Sequence, residues 1–256
     1  MRVIYIKKSS LLLCCVILAS AIILTLFGSP AIVGASAAKR NLPIYCVSRE
    51  DKVASLSFDA AWGNEDTQQL IDILGRYNVK ATFFVVGSWV DKYPESVKAL
   101  ADAGHEVMNH SDKHKHSPQL SRDEIMADLT ACNDKIEKVT GVRPTLFRPP
   151  YGDYDDKLIT TVTSMGMYTI QWDVDSLDWK DLSAAEIQKR VLSRVKPGSI
   201  VLFHNAALNT PEALPGIIES LQSSGYKLIP ISELIYKGKF YLDHEGRQFP
   251  VKDEQN

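Results

Sequence analysis

The 256 residues lack several things that would point to common functions. There is no excess of positive charge: the formal net charge is −2. Nucleic-acid binding needs a basic face that releases counterions from phosphates, so that class has no support. Cysteine is scarce, at four, and none of the spacings suits a zinc ribbon or finger. No glycine-rich phosphate or dinucleotide loop occurs, which disfavours a nucleotide-dependent enzyme. Internal repeats and low-complexity tracts are absent. What remains is ordinary globular composition, 45% hydrophobic and 23% charged, with a length that suits one domain including an α/β barrel.

The first forty residues stand apart. Arg2, Lys7 and Lys8 form a basic start, and residues 9–27 carry no charge. After the break at Gly28-Ser29-Pro30, Ala35-Ser36-Ala37 supplies a small-residue cleavage pattern. Residues 1–40 therefore read as a signal peptide or an uncleaved membrane anchor. Residues 41–256 form the exported domain, either secreted to the cell envelope or held at the membrane. Cys14 and Cys15 lie in the apolar run as small hydrophobes. Cys46 and Cys132 belong to the exported part, where they could pair or stay free.

Downstream, short apolar runs alternate with amphipathic stretches. The strand candidates are residues 53–58, 81–86, 105–108, 145–147, 168–172, 199–203 and 227–231. Ser121 with Glu124 and Ser183 with Glu186 are capping-box patterns that predict helix starts, and Gly141 predicts a stop. Thr210-Pro211 opens a further helix that ends near Gly225, and residues 155–165 also read as helical. Seven strands separated by helices predict a parallel sheet, best a distorted barrel, with an open doubly wound sheet as the alternative. In both, ligands bind beyond the C-terminal strand ends.

Those ends carry polar, aromatic and ionisable residues: Asp59; His110 and His114; Arg148 and Tyr151; Asp175, Asp178 and Trp179; and His204. The i, i+4 pair His110 and His114 has the spacing to aim two imidazoles at one divalent cation. His116, in the run up to Pro118, reads as exposed loop and as a non-ligand.

The ordered motifs SFDAAWG, HSDKH, RPPYG, DVDSLDW and LFH resemble the polysaccharide deacetylases, carbohydrate esterase family 4, over about residues 53–235. The resemblance implies a distorted (β/α)7 barrel that removes acetyl groups from N-acetylated glycans such as peptidoglycan or chitin. The FDAAWG form is most similar to the sporulation-associated single-domain branch. By this resemblance Asp59 is the general base and Arg148 its partner. His110 and His114 are the metal-binding histidines. Tyr151 offers a backbone N–H to the oxyanion. Trp179 and Leu202 wall the acetyl-methyl pocket. His204 is the general acid, oriented by Asp175, with Asp178 as the alternative partner. The implied cofactor is a divalent metal: zinc first, with cobalt or nickel as alternatives.

One position departs from the family pattern. The residue after the base is ordinarily a second Asp that ligates the metal, and here it is Ala60. The expectation is a metal held weakly or not at all, with Asp112, Glu65 or Asp66 as nearby substitute ligands. Two readings follow: a reduced deacetylase, or a deacetylase-fold protein that binds envelope glycan without hydrolysis.

Overall fold

The structure, a computed structural model, describes residues 40–251. The expected signal or anchor of residues 1–40, with Cys14 and Cys15, lies outside the described residues except for Arg40. In chain order the first half contains β1 (Cys46–Val47), β2 (Val53–Ala60), α1 (Thr67–Arg76), β3 (Thr82–Val85), α2 (Gly87–Lys92), α3 (Pro94–Asp102) and β4 (Glu106–Asn109). Then come α4 (Arg122–Thr140), β5 (Leu146–Phe147), α5 (Asp156–Ser164), β6 (Tyr168–Thr169), β7 (Val174–Asp175) and α6 (Ala184–Leu192). The last part has β8 (Ser199–His204), α7 (Thr210–Ser223), β9 (Lys227–Leu228), α8 (Ile231–Leu234), β10 (Phe240–Leu242) and β11 (Arg247–Pro250).

All seven expected strands are present, as β2, β3, β4, β5, β6, β8 and β9. Strands β8-β2-β3-β4-β5-β6 run side by side, every pair parallel. The N-terminal segment closes the curl. Ile44 donates to the Thr169 carbonyl and accepts from Gln171, while β1 pairs antiparallel with β8 through Cys46 and Ser199. The result is an α/β barrel whose ring is completed by an antiparallel piece, which is the distortion. Strands β10 and β11 extend the sheet from β1 as a hairpin.

The period-two alternation of β2 separates chemistry from packing. Ala54, Leu56, Phe58 and Ala60 join the outer core that meets Leu70 and Leu74 of α1 and Leu214 and Ile218 of α7. Phe58 stacks on Phe83 of β3 and Phe203 of β8, at centroid distances of 4.8 and 5.4 Å. Ser55, Ser57 and Asp59 take the opposite face. The inner core is a separate apolar cluster that includes Phe84, Met108, Leu146, Ile170 and Ile200.

The helix ends follow their sequence signals. Ser121 and Glu124, and Ser183 and Glu186, close reciprocal capping boxes at α4 and α6. Gly141 ends α4 at φ 76°, the left-handed conformation that glycine adopts without Cβ strain. Cys46 and Cys132 are both buried free thiols. The Cys132 thiol donates to the Val85 carbonyl, and burial lifts the Cys46 thiol to about 12. Among the described residues no helix is long and apolar enough to cross a membrane.

Candidate active site

Asp59 sits near the end of β2 and pairs in register with His204 of β8. Its Oδ1 accepts from Arg148 Nη1 at 2.8 Å. Arg148 follows β5 and is fully buried, 0% exposed. Its Nη2 donates to Ser57 Oγ at 2.8 Å and to the Gln171 carbonyl at 3.3 Å. The guanidinium lies over the Phe84 ring, 4.2 Å from its centroid. Burial is the largest influence and works to raise the Asp59 carboxyl, but the Arg148 guanidinium, His110 and His204 together outweigh it and hold the group below the usual range. Asp59 is thus a carboxylate at neutral pH, fixed by its neighbour.

The other Asp59 oxygen faces His110, with Nε2 at 3.5 Å from Oδ2. His110 Nδ1 is 2.7 Å from the Arg148 carbonyl oxygen. A carbonyl only accepts, so Nδ1 carries the proton and Nε2 keeps its lone pair. Asn109 builds the turn that follows β4. Its amide donates to Leu129 O and Asn133 Oδ1 on α4, and its oxygen accepts from Ser111 N–H. Ser111 Oγ in turn accepts from His114 N–H. The turn is tight enough to hold Ser111 at φ 71° and His114 at φ 52°. The two imidazole centroids lie 5.0 Å apart. Burial pushes His110 down and brings His114 to about 4. Both rings are neutral at pH 7, the form that ligates a cation.

His204 ends β8. Its Nδ1 donates to Asp178 Oδ1 at 2.8 Å, and its backbone N–H donates to Asp178 Oδ2 at 2.8 Å. Thr210 Oγ1 and Trp179 N–H complete the shell of that carboxylate. This corrects the expected partner. Asp175 instead accepts from Leu177 N–H, bracing the turn before the short helix Asp178–Lys180. Leu177 at φ 55° swings Asp178 rather than Asp175 onto the histidine. Burial works against protonation of His204, yet Asp178, with Asp59 and Asp175 further off, raises its pKa.

Two other expected positions differ in kind. Leu202 is buried and shares the inward face of β8 with Ile200 and His204. Trp179 is 55% exposed, with Lys180 Nζ 4.8 Å from its centroid, and so stands at the rim rather than in a buried wall. Tyr151 lies in the short helix Pro150–Gly152 at φ 60°, a left-handed conformation strained for a tyrosine. Gln171 Nε2 ties the neighbouring Gly152 carbonyl.

The metal donors are incomplete. His110 and His114 suit a divalent ion, but Ala60 is 1% exposed and packs in the outer apolar core. The substitutes proposed from sequence do not join the histidines. Both Asp112 oxygens are engaged, by Lys135 Nζ at 2.6 Å and Lys113 Nζ at 3.2 Å. Asp66 accepts from Ala206 N–H, and Glu65 is exposed. Among the described residues no group of three His, Cys, Asp or Glu is placed to hold a metal. The residues fit a two-histidine attachment and not a three-ligand cage.

Sequence order also left Trp62 and Asn205 unassigned, although both border this site. Asn205 Nδ2 donates to the Trp62 and Gly63 carbonyls. The available signal was a large aromatic between Ala61 and Gly63, two residues beyond the carboxylate strand.

Residues 47–170 match the family described as polysaccharide deacetylase. PdaC, the peptidoglycan-N-acetylmuramic acid deacetylase of Bacillus subtilis, is 39% identical over 73% of this chain and 40% of its own length. The peptidoglycan-N-acetylglucosamine deacetylase of Bacillus cereus is 31% identical over 72% of this chain and 69% of its own. Among solved structures, a CE4-family pseudoenzyme from Bacillus anthracis superposes at TM-score 0.74 with 38% identity, covering 77% of this chain and 69% of that one. A mutant of that pseudoenzyme, described as having restored enzymatic activity, also matches at TM-score 0.74. The buried Arg–Asp pair, the histidine turn and the barrel around them are thus carried by a chain that belongs to the polysaccharide deacetylase family. The chain spans 60% and 40% of the length of two Bacillus subtilis relatives that it matches.

Proposed function

We propose that this protein removes acetyl groups from N-acetylated cell-wall glycan, peptidoglycan or a related polymer, outside the cytoplasmic membrane. Residues 1–40 serve as signal or anchor and residues 41–256 as the catalytic domain. The observation that carries the reading is the pairing of two differently tuned groups at one barrel mouth. Asp59 is held ionised by Arg148, and His204 is biased towards its protonated form by Asp178. A sugar-binding protein has no need of a separately oriented base and acid.

In this reading Asp59 takes the proton from the attacking water, and His204 gives a proton to the leaving amine. Arg148 fixes the orientation of Asp59, and the Tyr151 backbone N–H faces the developing oxyanion. Leu202 forms the floor below His204 that receives the acetyl methyl group. His110 and His114 would hold a divalent ion, zinc first, with cobalt or nickel as alternatives. When bound, the ion supplies Lewis-acid polarisation of the scissile carbonyl. With Ala60 in place of a carboxylate, that ion is weakly held, and turnover is slow. The SFDAAWG form of the first motif supports a place in spore formation.

A second reading, glycan binding without hydrolysis, is favoured by Ala60 and by the likeness to the Bacillus anthracis pseudoenzyme. Metal analysis paired with acetate release from N-acetylglucosamine oligomers and peptidoglycan separates the two. Metal-stimulated acetate supports hydrolysis; glycan binding with no acetate supports the second reading.

A further inference from the structure

Trp62 is 58% exposed, and its ring lies 5.9 Å from that of His114 and 6.5 Å from that of His204. It therefore stands at the mouth, between a proposed metal ligand and the proposed acid. Single exposed aromatics on a protein surface are ordinary. The backbone beneath this one is not. Trp89 Nε1 and Asn205 Nδ2 each donate to both the Trp62 and Gly63 carbonyls, at 2.6–2.8 Å. Asn205 Oδ1 also accepts from Ala61 N–H. Trp89 and Asn205 are themselves buried. Two buried side chains thus lock a turn whose own side chain remains largely in solvent.

Across the mouth, Tyr151 is 61% exposed and its ring is 4.6 Å from that of His114. It stacks on His116 at 4.2 Å with an interplanar angle of 15°, and His116 is paired with Asp153. His114 thus has an exposed aromatic ring on each side.

We infer that Trp62 is a sugar-stacking residue, whose indole face takes the apolar C–H face of a pyranose ring in the glycan chain. The inference rests on the glycan reading above and deepens it. Trp62 fixes which ring of the polymer lies against Asp59. A pyranose presents axial C–H bonds on its faces and hydroxyls at its rim. An indole offers a large rigid area with few torsions to freeze. Pinning the backbone in advance reduces the ordering lost on binding. Asn205, next in sequence to His204, is a positioning residue that couples this platform to the acid. Tyr151, braced by His116, provides the opposite face for the neighbouring sugar.

The test is calorimetric titration of the whole protein, as wild type, Trp62→Ala and Trp62→Phe, with an N-acetylglucosamine pentamer. A parallel zinc titration reports on the histidines. Trp62→Ala should weaken pentamer binding about tenfold or more, and Trp62→Phe should stay within about threefold of wild type. Zinc affinity should be unchanged in both. Wild-type affinity for the pentamer in Trp62→Ala would overturn the assignment of Trp62 while leaving the glycan reading intact. A wild-type protein that binds no pentamer would overturn both.

Discussion

Arg148 Nη1 donates to Asp59 Oδ1 at 2.8 Å inside the barrel, where neither charge has another ionised partner as near. Removing one member of a buried pair leaves the other uncompensated. Arg148→Ala should lower stability by about 3–5 kcal/mol in chemical denaturation. The pH dependence follows from the sign of the Asp59 shift. Its folded pKa is depressed, so its contribution to stability is present above the unfolded carboxylate value and is lost as pH falls through the folded value. Arg148→Ala should reduce that acid-side loss, because the guanidinium then no longer offsets burial, already the largest influence on Asp59.

Asp178, not Asp175, holds His204. A general acid must be protonated, and Asp178 raises the His204 pKa. Asp178→Asn should therefore move the alkaline limb of the rate profile to lower pH and cut turnover by about 10²-fold. Asp175→Asn should move the limb less. Equal displacement by both variants would remove Asp178 from its assigned position.

Ala60 packs with the outer core, so a carboxylate placed there is buried until a cation meets it. Ala60→Asp should destabilise the metal-free protein by ~2 kcal/mol or more. Added zinc should then stabilise the variant more than wild type, because a ligand that binds the folded state shifts its midpoint by mass action. Affinity should rise at least by the roughly 10–100-fold that outer-sphere partners are worth. Thermal midpoints with and without zinc, alongside calorimetry, check both signs.

The seven parallel strands and both capping boxes were legible because apolar runs, caps and stops repeat along the chain. The antiparallel pieces were not. β1 precedes the first helix and pairs across the barrel with β8 and β11, which no local pattern reveals, and the β10–β11 hairpin follows the last recognisable motif. At the site, Asp59, Arg148, His110 and His204 could be placed together because each lies at or directly after the C-terminal end of a strand. The family resemblance ranks Asp175 above Asp178, and the structure reverses that order. Only Ser176 and Leu177 lie between them, and the choice depends on the left-handed turn at Leu177, which a leucine does not announce. Trp62 is weakly signalled by sequence because its importance comes from Asn205 and Trp89, which are distant in sequence.

The most direct measurement is acetate release from N-acetylated glycan by wild type and Asp59→Asn, each with added zinc, cobalt or nickel. Asp59→Asn keeps the shape of the side chain and removes the base. Slow, metal-stimulated release by wild type that falls by about 10²–10⁴-fold in Asp59→Asn is the expected result. Undiminished release by Asp59→Asn, or none from wild type under any of these metals, would contradict a deacetylase centred on Asp59.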